Sequence, residues 1–199
     1  MDMKMNEGVE WAAHCAVLLA FLPDDASLPA HRLAEYHDVP APYLAKSLQS
    51  MMRAGIVTSS AGRHGGYRLA RPASQITMLD IVMAVEGDDP LFRCTEIRRR
   101  GPSAVSVRAY TPRCGIAAAM GRAEDAWRGE LAATTVEDLA AGVAADAPPQ
   151  AMAMGVTWMT SVIEMRAAPN RGLGSGPDRS LDVETRSGRS GESGGGRER

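Results

Sequence analysis

The stretch V-E-W-A-A-H-C, residues 9–15, places a carboxylate and an imidazole four positions apart. On a helix, positions i and i+4 share one face, so Glu10 and His14 stand side by side. Such a pair is a surface contact, a helix-stabilising contact, or two ligands for one metal. Two softer ligands lie far along the chain, Cys94 and Cys114, with nineteen residues between them. Taken alone they are free thiols or a redox disulfide. The remaining cysteine, Cys15, follows His14 and points about 100° away around the helix, which fits a buried core thiol. Trp11, beside Glu10, is most simply a packing aromatic.

The chain that must position these groups has 199 residues, a net charge of −2 and 45% hydrophobic residues. That suffices for one globular domain with appendages. There is no run of eighteen apolar residues to span a membrane, and the polar start M-D-M-K-M-N-E-G lacks the layout of a signal peptide. A cytoplasmic location is therefore expected, with the cysteines as reduced thiols or metal ligands. From about residue 167 the composition turns to Gly, Ser, Arg and acidic residues. Such a tail, 167–199, is expected to be disordered, because it buries too little apolar surface to offset its ordering entropy.

The apolar spacing of Val9, Ala13, Val17 and Leu18 predicts a first helix over residues 8–22, with Pro23 after it. Ser27 reads as the N-cap of a second helix, with Pro29 in its first turn. The next segment opens with prolines and closes at Gly55. Its buried face is expected to be Leu44, Leu48, Met51 and Met52, leaving Tyr43, Lys46, Ser47 and Ser50 pointing outward. Two short helices, the second polar on its free face, have helix-turn-helix grammar. I-V-T-S-S and Y-R-L-A-R then alternate around the turn A-G-R-H-G-G, which predicts a β-hairpin with a basic tip, the wing of a winged helix. Thr77 caps a helix ending at Gly87. Residues 88–114 have little period and read as a long functional loop. A long helix is expected over about 115–133, with Ile116, Ala119, Met120, Ala123 and Trp127 at helical spacing. Thr134 or Thr135 caps a short helix after it, and residues 150–166 form a final packing helix.

The expected fold is thus mainly α with a small β-hairpin wing. Residues 1–87 form a winged helix-turn-helix DNA-binding unit, 88–114 a loop, and 115–166 a long helix with packing helices. Lys46, Arg53, Arg63, His64, Arg68 and Arg71 cluster within one subregion of an acidic chain. Such a patch suits phosphate contacts on double-stranded DNA, which set affinity without reading sequence. The residues expected to touch DNA are Tyr43, Lys46, Ser47 and Ser50 on the second helix, with Arg63 and His64 at the tip. No nucleophile–base constellation or phosphate loop is present, so neither enzymatic activity nor a small-molecule substrate is expected.

S-S-A-G-R-H-G-G-Y-R-L-A-R, preceded by Y-L-A-K-S-L-Q-S-M-M-R-A-G-I-V, resembles the winged helix of the Rrf-two family of bacterial transcription regulators over roughly residues 5–135. The resemblance implies a homodimer joined through the long helix after the cysteine loop, bound to partly palindromic operators. Two departures stand out. Ala61-Gly62 replaces the Arg-Gly pair common at the wing tip, and Ala45 occupies a recognition-helix position that is often acidic. The chain also lacks the three closely spaced loop cysteines of the common cluster-binding members. E-W-A-A-H and the wide cysteine spacing are instead similar to the RsrR-type redox-sensing subclass. That similarity implies a 2Fe–2S cluster ligated by Glu10, His14, Cys94 and Cys114, with residues 88–114 as its loop and Trp11 as a candidate for the redox switch. Imidazole ligation of iron occurs in Rieske centres, where it raises the potential. The alternative is a winged-helix regulator without a cluster, sensing through cysteine thiols or a small molecule.

Arg63→Ala is expected to weaken operator binding and to flatten its salt dependence, since a lost phosphate or groove contact releases fewer counterions. Titrations at several salt concentrations check this. Binding equal to wild type throughout would place the tip off the DNA.

Overall fold

The computed structural model describes residues 5–62, 65–102, 104–106 and 114–167. Arg63 and His64 at the wing tip, part of the cysteine loop, and the tail from residue 168 onward lie outside the described residues. Among the described residues seven α-helices follow one another: α1 (Glu7–Ala20), α2 (Ala30–His37), α3 (Ala41–Arg53), α4 (Met78–Glu86), α5 (Gly115–Ala133), α6 (Val136–Asp146) and α7 (Pro149–Ala167). Between α3 and α4 stands a hairpin of β1 (Val57–Ser59) and β2 (Tyr67–Leu69). The strands pair antiparallel, with Val57 opposite Leu69 and Ser59 opposite Tyr67. This is the mainly helical winged fold that the sequence patterning predicts. Among the described residues no helix is long and apolar enough to cross a membrane.

Helix α1 starts where the Asn6 side chain accepts the Gly8 N–H at 2.8 Å, one of the donors a helix start leaves unpaired. It buries Val9, Ala12, Cys15, Ala16, Leu18 and Leu19 against α3, α4, α6 and β2. The core is completed by Leu28, Leu33, Leu44, Leu48, Met51, Ile56, Ile76, Ile81, Val136 and Val162. Burying a side chain of this size contributes about 1.5–3 kcal/mol, so this shared interior is what assembles the reading head. α4 and α6 are joined to it in a matched way. Thr77 and Thr135 each cap their helix through a capping box, with Asp80 and Asp138 returning the bond. The two caps are bridged by Met78 N–H to Thr134 O and Val136 N–H to Ile76 O, both 2.8 Å.

Three expectations are corrected. Ser27 does not cap α2. The helix starts at Ala30 behind Pro29, because Leu28 is drawn into a backbone bridge with Tyr67 at 3.0 and 2.7 Å. Ser47 does not point outward, being only 6% exposed. Leu44, Ser47, Leu48 and Met51 follow i, i+3, i+4, i+7, so the serine belongs to the buried stripe. Met52 is 41% exposed rather than buried, since it lies about 100° around the helix from Met51; its sulfur accepts the Ser59 hydroxyl at 3.4 Å.

The two glycines before Tyr67 are required by close approach. A Cβ at Gly65 would stand 2.1 Å from the Ser60 carbonyl oxygen, and one at Gly66 2.6 Å from the Leu28 carbonyl carbon. Backbone atoms cannot yield as side-chain tips do. Gly66→Ala is therefore expected to separate the wing from Leu28 and lower stability by about 1–3 kcal/mol, the usual scale of overpacking. Thermal unfolding checks it. An unchanged melting temperature would mean that the bridge opens without cost.

Candidate metal centre and nucleic-acid interface

Because α1 is enclosed by α3, α4 and α6, only one side of it stays open. That side carries Glu10, Trp11 and His14. With His37 and Val39 they line a cleft of about 190 Å³. Glu10 and His14 are exposed, while Trp11 is half-buried and packs against the core. Cys15, about 100° around the helix from His14, is fully buried. Burial pushes its thiol up to about 12, so it stays protonated and unreactive, as expected of a core thiol.

His37 was not expected here. It is the last residue of α2, and its ring centroid lies 5.6 Å from that of His14. Burial, and then the neighbouring His14, lower its pKa to about 4, leaving a neutral imidazole near pH 7. Its Nε2 is buried and has no hydrogen-bond partner. Such an unsatisfied atom costs about 1–3 kcal/mol. No spacing in the sequence links residue 37 to residues 10 and 14; only the packing of the end of α2 beside α1 brings them together.

Cys94 and Cys114 form a second group. Cys114 is the N-cap of α5 and is buried. The backbone N–H groups of Ala117 and Ile116 point at its sulfur and hold the thiol below its usual range, with Arg98 and a hydrogen bond from Cys94 adding to the effect against partial desolvation. A helix N-terminus favours a thiolate for this reason. Cys94 is exposed, with its sulfur 3.8 Å from Glu96 Oε1. Glu96 is in turn clasped by Arg98, with contacts of 2.8 to 3.1 Å.

The two loop cysteines thus meet, and Glu10 meets His14. The two pairs do not meet each other within one chain: among the described residues no three His, Cys, Asp or Glu side chains converge on a common metal position. Iron–sulfur clusters usually take four protein ligands. Each pair therefore fits half of such a centre by the chemistry of its donors, and neither is sufficient alone.

On the recognition side, α3 presents Tyr43, 60% exposed, with the Lys46 ammonium 5.3 Å from its ring centroid. Ser50 is half-exposed and accepts from Arg53 at 3.3 Å. Ser47 is withdrawn from this surface by its burial. The cation cluster also divides. Arg71 is committed internally, donating to the Gln75 carbonyl at 2.9 Å, the Gly55 carbonyl at 3.2 Å and Asp80 at 2.8 Å. It locks the hairpin to the start of α4. Lys46 remains on the outer face of α3.

Comparison with known proteins agrees with this architecture. The family model Rrf2, described as an iron-dependent transcriptional regulator, matches residues 5–142. Protein aau3 of Rhizobium meliloti is 36% identical over 142 residues, covering 70% of this chain and 83% of that protein. YwgB of Bacillus subtilis, provisionally named an HTH-type transcriptional regulator, is 31% identical over 125 residues, covering 63% of this chain and 76% of that protein. Among solved structures, IscR of T. potens superposes with a TM-score of 0.56 at 19% identity, over 76% of this chain and 97% of that one. CymR, the global cysteine regulator of B. subtilis, gives 0.54 at 23% identity, over 70% of this chain and 98% of that one. At these identities the two structures speak for the fold. The family match spans more than half of the sequence, and the chain belongs to the Rrf2 family of DNA-binding transcriptional regulators.

Proposed function

We propose that this regulator senses redox state through a 2Fe–2S cluster held between two subunits of a cytoplasmic homodimer. Glu10 and His14 of one chain and Cys94 and Cys114 of the other are its ligands, the four residues that the likeness to the RsrR-type subclass implies. The carrying observation is the separation of two complementary donor pairs, the thiols of Cys94 and Cys114 beside the start of α5 and a carboxylate–imidazole pair in an open cleft. The family's description as iron-dependent supports the reading. So does the long helix. Ile116 on α5 is 66% exposed, and Ala119, Met120, Ala123 and Trp127 are exposed or half-exposed, so the apolar stripe of α5 is not consumed by its own chain. A dimer partner would cover it.

When bound, the cluster supplies a one-electron couple. The chain's own residues do the rest. The α5 N-terminus holds the Cys114 thiol below its usual range, and Glu10 and His14 are held in register by one turn of α1. Trp11 sits between that turn and the core, so a shift of Glu10 or His14 displaces it. α1 meets the recognition helix closely: a Cβ at Gly8 would come 2.9 Å from Ser47 Oγ. A small movement of α1 therefore reaches α3, where Tyr43, Lys46 and Ser50, together with Arg63 and His64 of the wing, are the proposed contacts to double-stranded operator DNA. Each tenfold change in operator affinity requires about 1.4 kcal/mol, within the range of allosteric coupling energies.

The second reading is a thiol sensor without a cluster. It is favoured by the closeness of the two thiols within one chain, through which Cys94 helps to hold the Cys114 thiol below its usual range. Iron and sulfide analysis of protein purified under argon separates the two.

The expected outcome is a difference in operator affinity between oxidised and reduced protein at fixed salt. Trp11→Ala is expected to narrow the gap while keeping the cluster spectrum. Equal affinities in the two redox states remove the sensor. A gap left intact in Trp11→Ala keeps the sensor and excludes this route.

A further inference from the structure

His37 lies in the cleft beside the proposed ligands, and nothing in the mechanism above uses it. Its Nε2 is sealed from solvent without a hydrogen-bond partner. Its ring also meets Tyr36, edge-on at 5.0 Å between centroids, and Tyr36 is itself packed on Trp158 of α7 at 4.8 Å. The ring is thus braced, and it stands beside that of His14. The His14 and His37 rings are tilted by 52° at 5.6 Å between centroids, a spacing from which a turn of the exposed His14 ring brings facing nitrogens toward hydrogen-bond range.

A histidine that ligates a metal uses one ring nitrogen and donates the N–H of the other to an acceptor, which fixes its tautomer and orientation. We propose that Nε2 of His37 is the acceptor for the non-ligating N–H of His14, so that His37 is a positioning residue of the metal centre. The inference rests on the reading of His14 as a cluster ligand. It accounts for the unsatisfied nitrogen, whose partner is complete only when His14 is turned toward its ligating position. It also gives the centre a second link to the DNA-reading unit. His37 ends α2, Asp38 follows in a left-handed conformation at φ 50°, and α3 begins at Ala41. The bond therefore joins the ligand on α1 to the turn of the helix-turn-helix.

The test uses the full chain, reconstituted under argon with ferrous iron and sulfide, as wild type, His37→Gln and His37→Phe. The glutamine side chain retains an acceptor near the position of Nε2, whereas phenylalanine keeps only the ring. Iron release to EDTA is followed by absorbance, and the melting temperature of each apoprotein is recorded. The phenylalanine variant is expected to release iron roughly 10-fold faster or more, the usual effect of removing such a partner. The glutamine variant is expected to stay close to wild type. The phenylalanine apoprotein is expected to melt no lower than wild type, because no bond to Nε2 is lost in the apo state. His37→Leu, equally without an acceptor, repeats the contrast should the larger ring fail to fold. Release as slow as wild type in the variants without an acceptor overturns the proposal, as does glutamine releasing as fast as phenylalanine. Wild-type protein that takes up no iron and sulfide overturns the cluster reading and this proposal together, which sets that failure apart from the other two.

Discussion

The structure depends on the enclosure of α1. One fourteen-residue helix is packed against α3, α4, α6 and β2, and its small residues, Gly8, Ala12 and Ala16, let those elements approach. Four neighbours leave a single open side. Whatever chemistry α1 carries must therefore appear on the turn bearing Glu10, Trp11 and His14, and whatever moves that turn is felt by the recognition helix. A longer side chain at residue 8 would push against Ser47, so the sensing and reading helices are separated by little more than van der Waals contact.

The remaining elements serve this arrangement. The bridged caps of α4 and α6 close the core beneath α1. Arg71 fastens the hairpin to α4, which commits to the fold a cation that could otherwise have joined the DNA-facing patch. Gly65 and Gly66 let β2 come close enough to Leu28 to add a third backbone partner to the wing. At the other end of the chain, Arg128 of α5 pairs with Glu124 and with Asp88 at 3.0 Å, and Glu124 accepts the Leu91 N–H at 3.2 Å. These contacts tie the segment after α4 to the second half of α5, away from the end where Cys114 begins the helix. The cysteine pair and the α1 pair thus belong to different supports, and among the described residues they do not converge on a common metal position.

Much of this was legible from residue periodicity. α1, α3, α4 and α5 announce themselves through apolar spacing and through Thr77, Gly55 and Gly87, and the hairpin through alternation around paired glycines. Ser47 was misread because a serine was judged by its polarity, although its spacing from Leu44, Leu48 and Met51 already placed it inward. Ser27 was misread because a long-range bridge between Leu28 and Tyr67 displaced a locally reasonable cap, and local rules do not see such partners. Of the candidate site, the Glu10–His14 pair follows from helix geometry and the core role of Cys15 from its angle to that pair. The union of Cys94 with Cys114 bridges a loop with no period, and His37 reaches the cleft only by tertiary packing. Neither is encoded at short range.

The central claim is that the metal centre is shared between subunits. It is tested most directly by the cluster content of a mixed dimer, one chain carrying Glu10→Ala and His14→Ala, the other Cys94→Ala and Cys114→Ala. After anaerobic reconstitution, a shared centre leaves one complete set of four ligands per mixed dimer. Iron and sulfide are then expected at half the wild-type content, while each doubly substituted homodimer holds none. A mixed dimer with no cluster, formed from chains that still dimerise and whose wild-type counterpart holds the full complement, would contradict the account and return all four ligands to a single chain.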